Sequence, residues 1–323
     1  MKFDENNTEY NLSKLDEETY ENKIYAIDCN IDRSLMIFGG IKNILWIKHG
    51  QTEDITAFEK YSDSVIFCKF VDKNTFLVAI LNGEIYKYTL NRDIIEDKSF
   101  YNLNNDISFI EISSSDTEIL IGTITGAIHV LSIDLLTEHV YLGHKDEIVS
   151  IQKYDDKLYS LSDSYFIIFN ASTYKSLMHK QINQGYSMSV LGNRSICLCD
   201  ASGIQIFRDN TTLFNIRDTG RTESIALSDN LTIVGTDQNI FFIFYNTTFS
   251  YFTVNVGVNK LSIISDYLIA SSTNSEILVF SLSDIQSYKV YKTDVDIIYD
   301  FVVFGNEVLI AGDSGISSIE IDF

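Results

Sequence analysis

The sequence comprises 323 residues, of which 45% are hydrophobic, and 45 Asp and Glu residues against 24 Lys and Arg residues give a formal net charge of −21. No run approaches the ~18 consecutive apolar residues of a membrane span, and the polar, acidic N-terminus lacks the apolar core of a secretory signal. A negative field of this size repels nucleic acid and anionic lipid and attracts basic partners. We therefore expect a protein of the cytoplasm, or also of the nucleus, that binds neither nucleic acid directly nor a membrane.

Residues 1–23 form an acidic segment ahead of eight sequence repeats, and they include the strand-like stretch EYNLSK at residues 9–14. The eighth repeat reaches Phe323 just after its third strand, so it lacks a fourth. Because an unpaired sheet edge favours aggregation, we expect part of residues 1–23 to supply that outer strand. The alternative is a disordered acidic tail.

The repeats fill residues 24–323, and each contains a hairpin such as TFLVAILNGEIYKY (residues 75–88) or EILIGTITGAIHVL (residues 118–131). Two apolar strands flank a turn rich in Gly, Asn, Asp and Ser, the residues that tight turns need. A period of about 40 residues with four strands per repeat is typical of a β-propeller blade. We predict an all-β fold: one eight-bladed β-propeller, closed by a strand from the N-terminal segment. The repeats begin near Ile24, Ser64, Ile107, Glu147, Tyr186, Glu223, Lys260 and Ile298.

Acidic residues concentrate at two positions in the repeats. In a propeller, the connecting loops before each first strand and the inner turns between second and third strands share one face, which we call the top face. The connecting loops supply Asp63, Asp106, Asp146, Glu147, Glu223 and Asp296, and the inner turns supply Asp163, Asp200, Asp237, Glu276 and Asp313. Lysine and arginine are scarce at these positions, with Lys145 and Arg221 as exceptions. A ring of like charges repels itself, and a cationic ligand would relieve that repulsion. The pattern therefore favours a face that binds a basic peptide. The alternative is a merely soluble acidic protein.

Aromatic residues near that face, Tyr186 and Tyr299, are candidates to hold an apolar anchor of such a peptide, although packing between blades is the more ordinary role.

Motifs for catalysis are not found in the sequence. The five histidines do not pair with acids or cysteines at metal-ligand spacing, and there is no G-x-S-x-G, P-loop or G-x-G-x-x-G sequence. Cys197 and Cys199 lie two apart on one strand, which favours buried, reduced thiols over a metal pair. We expect a protein that is not an enzyme and has no cofactor or metal, although an acid-based glycosidase at the channel mouth is a remaining alternative.

The sequence GHKDEIVSI (residues 143–151), followed by SLSDSYFIIFN, resembles a WD repeat with its Gly-His pair and its inner-turn Asp. In that motif the His and the Asp bond within the blade. The resemblance therefore implies structural roles for His144 and Asp163, and it makes Asp163 a poor ligand candidate. Of the motif's terminal Trp-Asp pair, Trp46 is the tryptophan that survives.

A further resemblance covers all eight repeats. The opening IYAIDCNIDRSLMIFGGIKNILWIKHG, the stretch ESIALSDNLTIVGT and the ending EVLIAGDSGISSIEI are similar to the angio-associated migratory cell protein family, acidic eight-bladed WD-repeat proteins. Fungal members are chaperones of a nascent large-subunit ribosomal protein, universal large-subunit protein sixteen, whose basic N-terminal segment docks on the acidic top face. The matching acids here are Glu223 and Asp313. The family's long acidic N-terminal extension is reduced here to about 20 residues, and the third inner turn carries no acid.

The resemblance implies a monomeric chaperone that shields a basic ribosomal protein and delivers it to the pre-ribosome. The alternative is a permanent scaffold subunit of a larger multiprotein or ribonucleoprotein assembly. The partner-binding residues expected on the top face are Glu223, Asp313, Glu147, Asp106, Asp237, Glu276 and Asp296.

Overall fold

The computed structural model describes residues 23–32, 34–50, 55–91, 94–113, 115, 117–190, 195–208, 211–228, 231–245 and 249–323. These residues form antiparallel strands joined by turns and loops. Among them, no helix is long and apolar enough to cross a membrane.

The first half of the chain folds into four four-stranded sheets, which are blades 1 to 4 of the propeller. Blade 1 contains β1–β4: Ile24–Cys29, Leu35–Gly40, Ile44–His49 and Ile55–Lys60. Blade 2 contains β5–β8: Val65–Phe70, Thr75–Ile80, Glu84–Asn91 and Ile94–Asn102. Blade 3 contains β9–β12: Ile107–Ile112, Glu118–Thr123, Ile128–Ser132 and Glu138–Tyr141. Blade 4 contains β13–β16: Ile148–Tyr154, Lys157–Ser162, Tyr165–Asn170 and Ser176–Gln181.

The second half forms blades 5 to 8, of which the last has three strands among the described residues. Blade 5 contains β17–β20: Gly185–Val190, Ile196–Asp200, Gly203–Arg208 and Thr211–Ile216. Blade 6 contains β21–β24: Thr222–Ser228, Leu231–Thr236, Ile240–Tyr245 and Phe249–Val254. Blade 7 contains β25–β28: Val258–Ile264, Tyr267–Ser272, Glu276–Ser281 and Asp284–Lys292. Blade 8 contains β29–β31: Ile298–Phe304, Glu307–Gly312 and Gly315–Glu320. The predicted eight-bladed all-β propeller is confirmed, and every first strand begins within a few residues of its predicted repeat start.

Strand burial follows position in the blade. The second strands are buried along nearly their whole length, as in β6 and β22, whereas the outermost strands β8 and β28 are largely exposed. Second strands lie between two neighbouring blades, so both of their faces need apolar or small side chains.

Hydrophobic clusters fill the junctions between blades, one cluster for each pair of neighbours around the ring. The junction that closes the ring packs Leu309 and Ala311 of blade 8 against Ile24, Ile27 and Phe38 of blade 1. Burying each large aliphatic side chain contributes roughly 1.5–3 kcal/mol. The ring is therefore closed by core packing between its first and last blades.

Polar side chains on the first strands tie neighbouring blades together around the channel. The carboxylate of Asp300 in blade 8 accepts a hydrogen bond from the backbone N–H of Ile27 in blade 1 (3.2 Å). Asp28 accepts one from the N–H of Phe70 in blade 2 (2.8 Å). Two acids of the channel wall therefore hold backbone groups of the adjacent blades.

A small residue near the end of several second strands lets the next blade approach closely. A Cβ added to Gly235 would lie 2.3 Å from Cγ2 of Val258, and one added to Gly122 would lie 2.5 Å from Cβ of Ile148. Real Cβ atoms do not come this close to other side chains. Neighbouring blades can therefore pack at this distance only if the residue at this position is small.

The expected closing strand within residues 1–23 lies outside the described residues, apart from Lys23. Beside the third strand of blade 8 there is a cavity of about 560 Å³, lined by blade 1 residues such as Met36 and Ile55 and by Ile316 and Ser318 of blade 8.

The cysteines are free thiols. Cys197 and Cys199 both pack into the junction between blades 5 and 6, as their spacing on one strand predicts.

Candidate functional site

The connecting loops and the inner turns are joined by a repeated backbone hydrogen bond. The first residue of the inner turn donates its N–H to a carbonyl of the connecting loop, as in Leu81 to Ser64 (3.0 Å) and Ile124 to Asp106 (3.2 Å). The same bond recurs in other blades as Ile41 to Lys23, Ala201 to Asn183, Asp237 to Arg221, Thr273 to Gly257 and Asp313 to Ile297. The two acidic sets therefore lie together on the top face.

The top-face acids differ in exposure. The exposed acids are Asp106, Glu147, Asp163, Glu223, Asp237 and Asp296, and the half-buried ones are Asp63, Asp146, Glu276 and Asp313. Asp200 is buried instead, and its carboxylate accepts a hydrogen bond from the N–H of Ser202 (2.8 Å), so it serves the turn and not the surface.

Two of the expected partner-binding acids hold the loops in place. Asp237 Oδ1 accepts a hydrogen bond from the N–H of Arg221 (3.0 Å), and Asp313 Oδ1 accepts one from the N–H of Ile297 (3.0 Å). In both blades the donor is the residue just before the first strand. The equivalent geometry shows that these carboxylates fix the connecting loop, a role that the sequence alone did not reveal.

Glu223 occupies a position that recurs in every blade. The pairing of first and second strands shifts at the second residue of each first strand, forming a β-bulge that re-aims one side chain. The bulge residues are Tyr25, Ile66, Ser108, Val149, Tyr186, Glu223, Asn259 and Tyr299. Because these positions surround the channel near the top face, they form a ring that we call the bulge ring.

The environment of Glu223 favours its neutral form more than water does. Burial raises the pKa of its carboxyl group, the guanidinium of Arg221 lowers it, and Asp237 raises it further. The ion pair with Arg221 joins Nε to Oε1 at 3.3 Å, and the arginine side chain is mostly exposed. A cationic partner at this position would stabilise the ionised form.

The two aromatic candidates also lie in the bulge ring. Tyr299 packs edge-on against Tyr25 across the junction of blades 8 and 1, with ring centroids 5.3 Å apart. Tyr186 is half-buried, and its hydroxyl donates a hydrogen bond to Gln184 (3.5 Å). Tyr299 also lines the channel, so it combines a packing contact with an accessible surface.

The central channel below the ring encloses about 770 Å³ and is lined by first strands of all eight blades. Its charged groups have both signs. Burial raises the pKa of Asp28, and it also raises that of Glu111, which Lys69 partly offsets. Lys260 forms an ion pair with Asp300. The channel wall therefore carries charges of both signs.

His144 is buried between two serines of blade 4. Its Nδ1 lies 2.9 Å from Oγ of Ser162, and its Nε2 lies 2.7 Å from Oγ of Ser160. Both ring nitrogens are thus engaged within the blade. Asp163 lies in an exposed inner turn of the same blade.

Trp46 lies on β3 and is buried at the junction of blades 8 and 1, a packing role.

Cations on the top face are more numerous than Lys145 and Arg221. The structure adds Lys42 in the inner turn of blade 1, together with Lys23 and Arg217 in connecting loops, all exposed. Lys23 and Lys42 both belong to blade 1, which contributes no acid to the two top-face sets among the described residues. The chemistry available on this face is recognition by carboxylates; among the described residues, no group of three His, Cys, Asp or Glu side chains is arranged to hold a metal ion.

The closed ring of blades places this protein in the β-propeller class. This fold typically serves as a non-catalytic scaffold. The chain belongs to the WD40-like domain family, which it matches over residues 22–319.

Solved structures share the fold at low sequence identity. Sqt1 of Saccharomyces cerevisiae is 18% identical, with a TM-score of 0.75, covering 94% of this chain and 97% of that one. Sqt1 of Chaetomium thermophilum, solved bound to the N-terminus of the ribosomal protein L10, is 12% identical, with a TM-score of 0.79 and coverage of 94% and 98%. The computationally designed protein Ika8 is 14% identical, with a TM-score of 0.74 and coverage of 93% and 97%. No curated protein matches the chain by sequence.

Proposed function

We propose that this protein is a dedicated chaperone whose top face binds the basic N-terminal segment of a nascent large-subunit ribosomal protein and delivers it to the pre-ribosome. The observation that carries this proposal is the convergence of acids from connecting loops and inner turns on one face. The likeness to Chaetomium thermophilum Sqt1, a propeller bound to a ribosomal-protein N-terminus, supports it. The resemblance to the angio-associated migratory cell protein family makes universal large-subunit protein sixteen the expected client.

The exposed carboxylates suit an extended, Lys- and Arg-rich peptide. Asp106, Glu147 and Asp296 lie in the connecting loops before blades 3, 4 and 8, so a peptide crossing the face meets carboxylates of more than one blade. Each charge-assisted hydrogen bond contributes roughly 1.5–3 kcal/mol before desolvation is counted. In Asp237 and in Asp313, one carboxylate oxygen already accepts a hydrogen bond from the connecting loop. These two residues therefore contribute to peptide binding through their charge and their second oxygen.

Charge also explains how such a client is kept and released. A basic ribosomal segment that is not yet on RNA binds stray polyanions, and a rigid acidic face neutralises it. Ribosomal RNA has a higher charge density, so it can displace the chaperone when the client is delivered. On this proposal the protein acts as a monomer in the cytoplasm, or also the nucleus, without catalysis, cofactor, or direct contact with nucleic acid or membrane.

The first experiment is an affinity pull-down from cell extract at low salt, with elution by a salt gradient and mass spectrometry of the eluate. One basic ribosomal protein released at moderate salt is the expected result, because screening weakens exposed ionic contacts. Several proteins that stay bound at high salt would contradict the proposal.

Charge reversal on the two faces then locates the site. Asp106→Lys combined with Glu147→Lys changes two exposed top-face acids, and it is expected to abolish client binding. Asp156→Lys combined with Asp266→Lys makes the same change in net charge at the turns between first and second strands, on the opposite face. Equal losses in both double variants would show that only net charge matters and would refute the top-face site.

A permanent scaffold subunit is the second candidate, and one feature favours it. The outer strand of blade 2 exposes Ile94, Ile95 and Phe100, with 72% of Ile94 accessible. Exposed apolar side chains on an outer strand are suited to the apolar core of a stable subunit interface. Size-exclusion chromatography of native extract separates the two candidates: a chaperone elutes as a small complex with one client, and a scaffold subunit co-migrates with a large particle.

A further inference from the structure

The inner turns divide the top face into an apolar part and a polar part. The first residue of each inner turn occupies an equivalent place, defined in most blades by its hydrogen bond to the connecting loop. In blades 1 to 3 this residue is Ile41, Leu81 or Ile124, with exposed fractions of 47%, 38% and 47%. We call these three residues the apolar arc. In blades 4 to 8 the same position holds Asp163, Ala201, Asp237, Thr273 and Asp313.

The arc continues at both ends. Ile297, in the connecting loop of blade 8, is 48% exposed, and Leu142, in the loop that leads to blade 4, is 75% exposed. Large exposed apolar side chains therefore recur at the top face from blade 8 through blades 1, 2 and 3 to the loop that leads to blade 4. Single exposed apolar residues need no explanation, whereas their recurrence on one face of successive blades favours an interaction site.

Carboxylates lie next to the arc. The N–H of Ile124 donates to the carbonyl of Asp106 (3.2 Å), so this apolar residue and this exposed acid are in backbone contact. Leu81 bonds in the same way to Ser64, whose neighbour in sequence is the half-buried Asp63. In two successive blades the face thus presents an apolar side chain and an acid side by side.

We propose that the apolar arc binds large apolar or aromatic side chains of the same basic peptide, so that the ligand of the top face presents cationic and apolar residues on the same side. This inference rests on the proposed function and specifies its ligand. Charge complementarity selects the occupant: a second copy of this chain carries the same net charge of −21, and nucleic acid is a polyanion, so both are repelled. A cationic peptide is attracted, and because side chains i and i+2 of an extended peptide point the same way, its cationic and apolar residues reach one surface together when they stand two positions apart.

The consequence is selectivity among basic sequences. Acids alone attract any polycation. An apolar arc beside them increases the binding affinity only for a peptide that also has hydrophobic side chains. The face therefore discriminates its client from basic tails that carry only charge.

The test uses two fluorescein-labelled peptides of equal length and equal charge, an Arg-Leu peptide that repeats Arg-Arg-Leu-Leu and an Arg-Ser peptide that repeats Arg-Arg-Ser-Ser, so that each side of the extended chain carries both residue types. Binding to the full-length protein is measured by fluorescence anisotropy at about 0.15 M salt, where the Debye length is ≈ 8 Å. We expect the Arg-Leu peptide to bind at least about tenfold more tightly, which corresponds to ~1.4 kcal/mol.

Variants assign that preference to the arc. The triple variant Ile41→Ser, Leu81→Ser, Ile124→Ser is expected to lose it while binding the Arg-Ser peptide as the wild type does. The control triple variant, Ile31→Ser, Leu136→Ser, Leu177→Ser, changes exposed apolar residues away from the top face and is expected to keep it.

The outcomes separate this inference from the proposed function. If both peptides bind the wild type equally, or if the arc variant keeps the preference, the arc is not a docking site and the acidic face still stands. If neither peptide binds the wild type even at low salt, the proposed function fails and the inference fails with it.

Discussion

Protonation of His144 should destabilise the protein on mild acidification. The imidazole lies between Ser160 and Ser162 and is 8% exposed. Burial lowers the pKa of His144 from 6.5 to about 4, although Asp146 acts in the opposite direction. In the unfolded chain His144 is therefore protonated as the pH falls below about 6.5, whereas in the folded chain it stays neutral until the pH approaches about 4. Stability from this group is present above pH 6.5 and is lost as the pH falls towards 4.

The magnitude follows from the two pKa values. Going from pH 7 to pH 5, the linkage relation gives a loss of about 2 kcal/mol from this one residue. Asp28 and Glu111 have raised pKa values and act with the opposite sign, so the effect has to be isolated by a difference measurement. His144→Gln removes the titration while keeping a polar side chain that can bond to one serine.

The assay is urea unfolding at pH 7, 6 and 5, followed by the fluorescence of Trp46, the single tryptophan, which is buried at a blade junction. At pH 7 we expect His144→Gln to be less stable than the wild type by about 1–3 kcal/mol, because a buried serine hydroxyl loses its partner. At pH 5 this deficit should shrink by about 2 kcal/mol. His139→Gln, which changes an exposed histidine on the outer strand of blade 3, is the matched control.

A deficit that is the same at pH 7 and pH 5 would refute the reasoning, because it would mean that the folded and unfolded chains bind the proton equally. If the reasoning holds, acidification acts on the binding face too. His144 lies in the connecting loop that carries Asp146 and Glu147, so its protonation loosens part of the acidic surface.

Three further predictions concern the closure and packing of the ring. Gly235→Ala places a methyl group 2.3 Å from a side-chain carbon of Val258 and should cost about 1–3 kcal/mol in urea unfolding; wild-type stability would show that the blades can move apart. Asp300→Ala leaves the N–H of Ile27 and the ammonium group of Lys260 without their carboxylate partner and should cost about 1–3 kcal/mol, measured in the same way, whereas no loss would mean that water replaces both contacts. Deletion of residues 1–22 should lower the melting temperature and promote aggregation, seen by calorimetry and light scattering, because blade 8 has three strands among the described residues; an unchanged melting temperature would favour the acidic-tail alternative.

Particular residues show how far sequence reasoning reached. The first strand of blade 2 begins at Val65 and the repeat was expected near Ser64, because the alternation of apolar strands and turn residues is a local property. The joint position of the connecting loops and inner turns also follows from the repeat, since antiparallel strands of similar length return to the same edge.

The role of Asp313 could not be predicted in this way. Its carboxylate accepts the N–H of Ile297, a residue 16 positions earlier, and that contact exists only when the turn and the loop have come together. One signal was available: Asp237 and Arg221 have the same spacing in blade 6, so the recurrence of Asp at this inner-turn position pointed to a structural use.

The sequence by itself determined the all-β class, the eight blades and the presence of acids in two loop sets, because each depends on patterns within about forty residues. Only the tertiary structure decided which acids face solvent and which hold a loop. It also showed that Ile41, Leu81 and Ile124 are exposed at the same position of three successive blades, on one face. The physical reason is that burial and hydrogen bonding depend on neighbours across the ring, and those neighbours are set by the packing of whole blades.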